Sequence, residues 1–434
     1  MRISTRFSVL PLLCTLMAVA PQKSFAPPKG FNYDEAKVPK YTLPDPLTAD
    51  DGSKIKSADD WQRKRRPEVL RLFQEHVYGA VPPRQAALKY EILSEDKDAL
   101  GGKATRRQVR IHLTKHKWGP RVELLIYLPN QVKGPLPAFI GYNFYGNHTI
   151  HSDPGIIVHG SWSRQSKDMG VKENRATEKG RGTRSNRWDV NAILDRGYAL
   201  ATMYYGDVEP DHKDGWKSSL RSYHLKPGRV EPEAHEWGAI AAWSYGLSRA
   251  MDYFERDRDI NQKQVALMGH SRLGKASLWG GASDERFAIV ISNNSGCGGA
   301  ALSRRTFGET IQRINTSFPH WFNDNFQQYN GNENACPVDQ HMLIALAAPR
   351  PVYIASAMED RWADPRGEFL SGLHANPVYQ LYHLPGMPVA QQPPVDKPVM
   401  GTIGYHIRSG KHDVTEFDWK QYLKFADKHL KAKK

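Results

Sequence analysis

The sequence predicts a three-layer α/β sandwich built on a mostly parallel central sheet, with one long inserted loop. Three observations carry this expectation. From residue 190 onward, short apolar runs alternate with helical patterns, the rhythm of a parallel sheet. Before that point, residues 145–188 are polar, basic and glycine-rich, and far longer than an ordinary connection. The third observation is the stretch from Val265 to Ala282. It opens with the apolar run Val265 to Met268 and passes through Gly269, His270, Ser271 and Arg272. Small and apolar residues suited to a helix on the sheet then follow, from Ala276 to Ala282. A serine at a tight strand-to-helix turn is the nucleophile elbow of the α/β-hydrolase fold. The turn lifts the hydroxyl out of the sheet, and the helix start behind it offers free N–H groups to a developing oxyanion. The usual elbow has glycine two residues after the serine; here Leu273 holds that place and Gly274 follows. The alternative is a buried serine that only caps a helix.

The elements follow in order. Residues 27–58 are rich in Pro and Asp without periodicity and read as an extended lead-in. Ser57 is placed to cap a helix from Trp61 to about His76. Alternating strands follow at Tyr90 to Leu93, Arg107 to Leu113 and Arg121 to Leu128, with Gly119 and Pro120 turning between the last two. Together they form an antiparallel edge leading to a central strand at Pro137 to Asn143. The 145–188 segment, placed after that strand, belongs at the carboxyl edge where ligands bind. A strand returns at Tyr198 to Tyr204, and helical spacing runs from Glu233 to about Arg256. The elbow strand comes next, then strands at Phe287 to Ser292 and Pro351 to Ala357, and a closing helix from about Thr415 to Lys431. No linker or repeat divides residues 27–434, which read as one domain.

Composition bounds the function. With 434 residues, 40% hydrophobic, a large core is available. The 11 Trp and 19 Tyr suit core packing and also a carbohydrate- or lignin-facing surface. The formal charge of +14 suits attraction to an acidic polymer, or simply solubility. The basic residues are scattered and no nucleic-acid motif is present, so neither nucleic acid nor membrane is expected as a partner. Residues 1–26 carry a basic start, an apolar stretch from Phe7 to Ala20 too short to span a bilayer, and small residues near Ser24 and Ala26. This is the pattern of a secretory signal peptide with an approximate cleavage site, which implies a secreted or periplasmic protein. Cys14 falls within it, leaving Cys297 and Cys336 as an even pair for which a disulfide is expected, two buried thiols being the alternative.

A serine hydroxyl needs a histidine to take its proton and a carboxylate to orient that histidine, and in this fold the order along the chain is Ser, acid, His. Carboxylates stand just past the strand ending at Ala357: Glu359, Asp360 and Asp364. His412 sits in a glycine-containing loop after an apolar run, and His406, inside that run, is its nearest competitor among 17 histidines.

These residues resemble carbohydrate esterase family 15, the glucuronoyl esterases, in their bacterial branch. The likeness rests on Gly269 to Lys275, reading G-H-S-R-L-G-K, on Asp284 to Phe287, on Ser295 to Gly299 with Gly308 and Glu309, on Asp360 to Pro365, and on His406 to His412. It covers most of the chain after residue 26 and accounts for Leu273. The resemblance implies hydrolysis of the ester between (4-O-methyl-)glucuronic acid of glucuronoxylan and lignin alcohols, through an acyl-enzyme. It implies Ser271 as nucleophile, His412 as base and Arg272 as oxyanion partner, with Lys275, Glu309 and Trp362 holding the sugar. Many members carry the triad acid where this chain has Asn294. The acid is therefore expected at Asp360, as in relatives that place it after a later strand, with Glu359 and Asp364 as alternatives. No metal or organic cofactor is expected, and a monomer is. The competing expectations are an acetyl xylan or feruloyl esterase with the same triad, and a polysaccharide-binding homologue without activity.

Overall fold

The computed structural model describes residues 29–84, 88–116 and 118–431. The signal-peptide expectation for residues 1–26 lies outside them. Ten strands form one sheet: β1 (Tyr90–Ala99), β2 (Ala104–His112), β3 (Arg121–Pro129), β4 (Leu136–Asn143), β5 (Ala199–Tyr204), β6 (Ile260–His270), β7 (Ile289–Asn293), β8 (Val352–Ala357), β9 (Val399–Met400) and β10 (Ile403–Arg408). Their spatial order is β1-β2-β3-β5-β4-β6-β7-β8-β10-β9. Six neighbours, β5-β4-β6-β7-β8-β10, are parallel. β1, β2 and β3 add an antiparallel edge, and β9 closes the other side antiparallel to β10. The mostly parallel sandwich expected of an α/β-hydrolase is therefore present.

Strand residues alternate between two apolar layers, because a strand points successive side chains to opposite faces. Val265 and Leu267 of β6 join one core with helices α3 (Ala239–Phe254) and α4 (Arg272–Ser283). Ala266 and Met268 join the other, against α2 (Val190–Asp195) and α6 (Glu416–Leu430). Trp419 of α6 is fully buried there, and truncating such a ring costs about 3–5 kcal/mol. α6 starts as its sequence dictates: Thr415 and Asp418 form a reciprocal capping box. Ser57 likewise accepts from Asp60 N (3.1 Å) and opens a helical run, Ala58 to Tyr78, that contains the regular helix α1 (Arg66–Phe73).

Two expectations need correction. The helix read from Glu233 begins only at Ala239. Gly238 is extended, its N–H donates to Tyr78 O (3.0 Å), and a Cβ there would lie 2.5 Å from Trp321 O. Packing against Tyr78 and Trp321 thus overrides helical spacing. Cys297 and Cys336 are free and buried rather than bridged, and burial pushes the Cys336 thiol up to about 12. The 145–188 segment is ordered by its basic residues. Arg181 donates to the carbonyls of Asp153 (2.7 Å) and Ile156 (2.9 Å), and Arg106 pairs with Asp153 at 2.7 Å.

Candidate active site

Parallel strands end at one edge, so residues just past each carboxyl end meet there whatever their separation in sequence. Ser271 follows β6, Asn294 follows β7, Asp360 follows β8 and His412 follows β10. Because these four strands are adjacent in the sheet, their loops converge.

Ser271 holds the elbow conformation, φ 59° and ψ −131°, a strained region for a residue with a Cβ. Its N–H donates to Asn293 O at 2.9 Å. The glycines of the motif are required by close approach. A Cβ on Gly269 would lie 2.0 Å from Leu273 O, and one on Gly274 would meet Ser295 Cβ at 3.0 Å and Gly269 O at 3.1 Å. The crowding that needs glycine falls on residue 274, so Leu273 is free to enter the core.

His412 Nδ1 lies 2.6 Å from Asp360 Oδ2, a charge-assisted distance. The same oxygen accepts from Asn294 Nδ2 at 2.8 Å. Asn294 therefore braces the carboxylate that faces His412. His412 also packs on His270, the residue before the nucleophile candidate, with ring centroids 4.5 Å apart. No hydrogen bond joins Ser271 Oγ to His412 among the described residues; unliganded sites often hold this contact loose. The alternatives separate cleanly. Glu359 is exposed. Asp364 binds Arg305 (2.8 Å) and caps the next helix, α5 (Pro365–His374), through Gly367 N (2.9 Å). His406 is fully buried between Asp418 (2.9 Å) and Tyr353 OH (3.0 Å).

Arg272 opens α4 and lies over the rings of Phe144 (5.4 Å) and Trp321 (5.1 Å). Its Nη1 is 3.3 Å from Asp211 Oδ2. Burial works against the guanidinium charge, but Tyr205 and Asp211 outweigh it and raise the group above its ordinary value. Asp211, just past β5, is a hub that the sequence reading missed. It also accepts from His320 Nε2 (2.9 Å), Trp321 Nε1 (2.8 Å) and Tyr205 OH (3.0 Å). Burial opposes its charge, yet the His320 bond and the Arg272 charge hold its carboxyl well below the usual range. A carboxylate just past a strand was the available signal for it.

Lys275 and Glu309 lie side by side, Nζ to Oε2 at 3.9 Å. Lys275 is buried, and its Nζ donates to the carbonyls of Ser295 and Cys297, the latter at 2.7 Å. Two of its three donors are thus committed to the 295–297 loop. Burial lowers its pKa, Glu309 opposing. Burial raises Glu309, while Lys275 and a hydrogen bond from the Trp362 indole pull it back. Trp362 is half-buried and stands edge-on to Phe31, centroids 4.8 Å apart. Sequence reasoning also missed Glu368 of α5, beneath the site. Glu368 accepts from Ser295 N (2.8 Å), Gly296 N (3.0 Å) and Ser356 Oγ (2.6 Å), and burial, with the Asp360 charge nearby, pushes it up to about 8. Among the described residues no group of three or more His, Cys, Asp or Glu side chains is placed to hold a metal, and no helix is long and apolar enough to cross a membrane.

A strained serine at the end of a parallel strand, with a histidine–carboxylate pair two loops away, defines an α/β-hydrolase. The comparisons narrow this further. Residues 194–382 match the family model for fungal glucuronyl esterase. A prokaryotic protein named carbohydrate esterase MZ0003 is 53% identical over 406 residues, 94% of each chain. Among solved structures, a promiscuous CE15 esterase from a marine bacterial metagenome superimposes with TM-score 0.87 at 53% identity, covering 92% of this chain and 100% of that one. A glucuronoyl esterase from Solibacter usitatus does so with TM-score 0.87 at 48% identity, covering 91% and 100%. The chain belongs to carbohydrate esterase family 15, and with it to the carboxylic ester hydrolases.

Proposed function

We propose that the chain is a secreted serine esterase that hydrolyses the ester linking (4-O-methyl-)glucuronic acid of glucuronoxylan to lignin alcohols. The observation that carries this reading is the 2.6 Å contact between His412 and Asp360, buttressed by Asn294, at the sheet edge that bears Ser271. In the first step Ser271 Oγ attacks the ester carbonyl while His412 takes the hydroxyl proton. Asp360 fixes the imidazole and balances the imidazolium. The carbonyl oxygen becomes an oxyanion beside Arg272 and the first N–H groups of α4. A cation held still by Asp211 stabilises that charge more than it stabilises the neutral ester. His412 then gives its proton to the departing alcohol, leaving a glucuronoyl ester on Ser271. A water, deprotonated by His412, attacks this ester and releases the acid. Lys275, Glu309 and Trp362 form the wall that meets the sugar, whose hydroxyls an acetyl group lacks.

Secretion is supported by the pattern of residues 1–26. A wider ester scope has one observation in its favour: the similar CE15 esterase from the marine bacterial metagenome is promiscuous. One experiment addresses the mechanism and the ester scope together. Wild-type protein and Ser271→Ala are compared for acid release from benzyl glucuronate and from acetylated xylan. The proposal expects rapid release from the glucuronate ester alone, abolished in the variant. Equal rates on both substrates favour the wider scope, and activity that survives Ser271→Ala defeats the mechanism.

A further inference from the structure

We propose that a basic, aromatic groove at the β2–β3 turn is a second binding site, for the uronate-bearing backbone of an acidic polysaccharide. This rests on the polysaccharide-esterase function proposed above and extends it to a surface outside the catalytic centre. Trp118, at the tip of the turn, is 79% exposed, and Tyr223 is 42% exposed. Large aromatics so open to water are unusual in a protein that buries seven of its other ten indoles at 0–8%, Trp61, Trp243 and Trp419 among them. The two belong to one surface: Tyr223 OH donates to Trp118 O (3.4 Å), and the His116 ring lies 5.3 Å from that of Tyr223. Beside them runs a groove of ≈ 530 Å³ whose wall includes Lys89, Arg110, Lys115 and Arg121, with Glu91 as its one acid. Lys89 and Arg110 are balanced by Glu91 and Glu123 at 2.5 Å each. Lys115 and Arg121 are exposed and form no ion pair among the described residues, so the surplus charge of the groove is theirs.

Topology places this groove where a polymer bound at the catalytic centre would reach it. β3 runs antiparallel to β5, with Leu124 opposite Met203, so the turn before Arg121 lies at the carboxyl edge of the parallel strands, the edge that bears Ser271. Between β3 and the elbow strand β6 stand only β5 and β4. Three interstrand steps amount to about 14 Å, more than one sugar and less than a short oligosaccharide. The 211–224 segment touches both places: its first residue, Asp211, holds Arg272, and Tyr223 in its last turn bonds the Trp118 carbonyl.

The chemistry selects the occupant. An indole or phenol face packs against the C–H face of a pyranose ring, and two unbalanced cations attract carboxylates spaced along a chain. A second copy of this chain is disfavoured, since each copy carries +14.

The test measures binding by affinity electrophoresis in the Ser271→Ala background, to prevent turnover, with glucuronoxylan, uronate-free xylan and single-stranded DNA. The proposal expects retention by glucuronoxylan well above that by uronate-free xylan. Trp118→Ala should weaken retention about tenfold, and Lys115→Ala with Arg121→Ala should reduce it and its salt dependence. With Ser271 intact, Trp118→Ala should turn over benzyl glucuronate at the wild-type rate, which also shows that it folds. Unchanged retention in both variants overturns the proposal, as does equal retention by uronate-free xylan. DNA retained as tightly as glucuronoxylan through the same residues assigns the groove to nucleic acid and overturns it too. Failure of the wild type on benzyl glucuronate would instead refute the esterase reading, while the binding arms still report on the groove.

Discussion

Replacing Asp360 with asparagine isolates the charge of the candidate acid from its geometry. Both hydrogen bonds to Asp360, from His412 and from Asn294, end on one oxygen, Oδ2. An asparagine carbonyl can occupy that place and accept both, so the imidazole keeps its orientation and only the negative charge is lost. The carboxylate and the imidazolium formed during attack would be centred about 4 Å apart, worth about 4 kcal/mol at an effective dielectric of about 20. The His412 side chain is 42% exposed, against 6% for Asp360, so solvent screens part of this. A loss of about 3–4 kcal/mol from transition-state stabilisation corresponds to a fall of about 10²–10³ in kcat. KM should change little, because the ester ground state carries no such charge. The assay is steady-state hydrolysis of benzyl glucuronate, with a thermal melt to show that the fold is intact and Glu359→Gln as an exposed control. An Asp360→Asn variant within threefold of wild type, with Glu359→Gln impaired, would refute the assignment.

Further predictions follow from the same geometry. Arg272→Gln should lower kcat about 10²–10³-fold with a smaller effect on KM; a change confined to KM would mean that Arg272 only binds substrate. Lys275→Met strips the Ser295 and Cys297 carbonyls of their donor and leaves Glu309 unpaired, so chemical denaturation should show a loss of about 3 kcal/mol. Unchanged stability with a raised KM would make Lys275 purely a sugar ligand. Glu368 keeps its proton up to about 8 in the folded protein, whereas an unfolded glutamate gives it up near 4.5. The native state therefore binds the extra proton between these values, and this stabilisation is lost as pH rises through about 8. Glu368→Gln, which keeps the neutral shape, should be a few kcal/mol less sensitive than wild type to a rise from pH 5 to 9; parallel denaturation curves for the two proteins would contradict this.

Much of this was legible because hydrolase chemistry is organised by strand ends. The apolar run before Gly269, the carboxylates after Ala357 and the histidine after the last apolar run each mark the end of a parallel strand. Six such strands in one sheet bring their loops together without further instruction. What remained hidden depended on side chains meeting across the fold. Nothing local tells that Asp211 grips Arg272, that Glu368 gathers the N–H groups of Ser295 and Gly296, or that Asn294 braces Asp360. The resemblance implied that Lys275 holds the sugar, and nothing local tells that two of its ammonium donors are committed to the carbonyls of Ser295 and Cys297. The helix that starts six residues late at Ala239 shows the same limit: the Tyr78 and Trp321 backbones decide where Gly238 lies.

The proposed mechanism requires a covalent bond to one hydroxyl. Protein quenched in acid during turnover of benzyl glucuronate, then digested and weighed by mass spectrometry, should carry the glucuronoyl mass on the peptide containing Ser271 and nowhere else. An adduct on another residue, or hydrolysis that continues in Ser271→Ala, would contradict it.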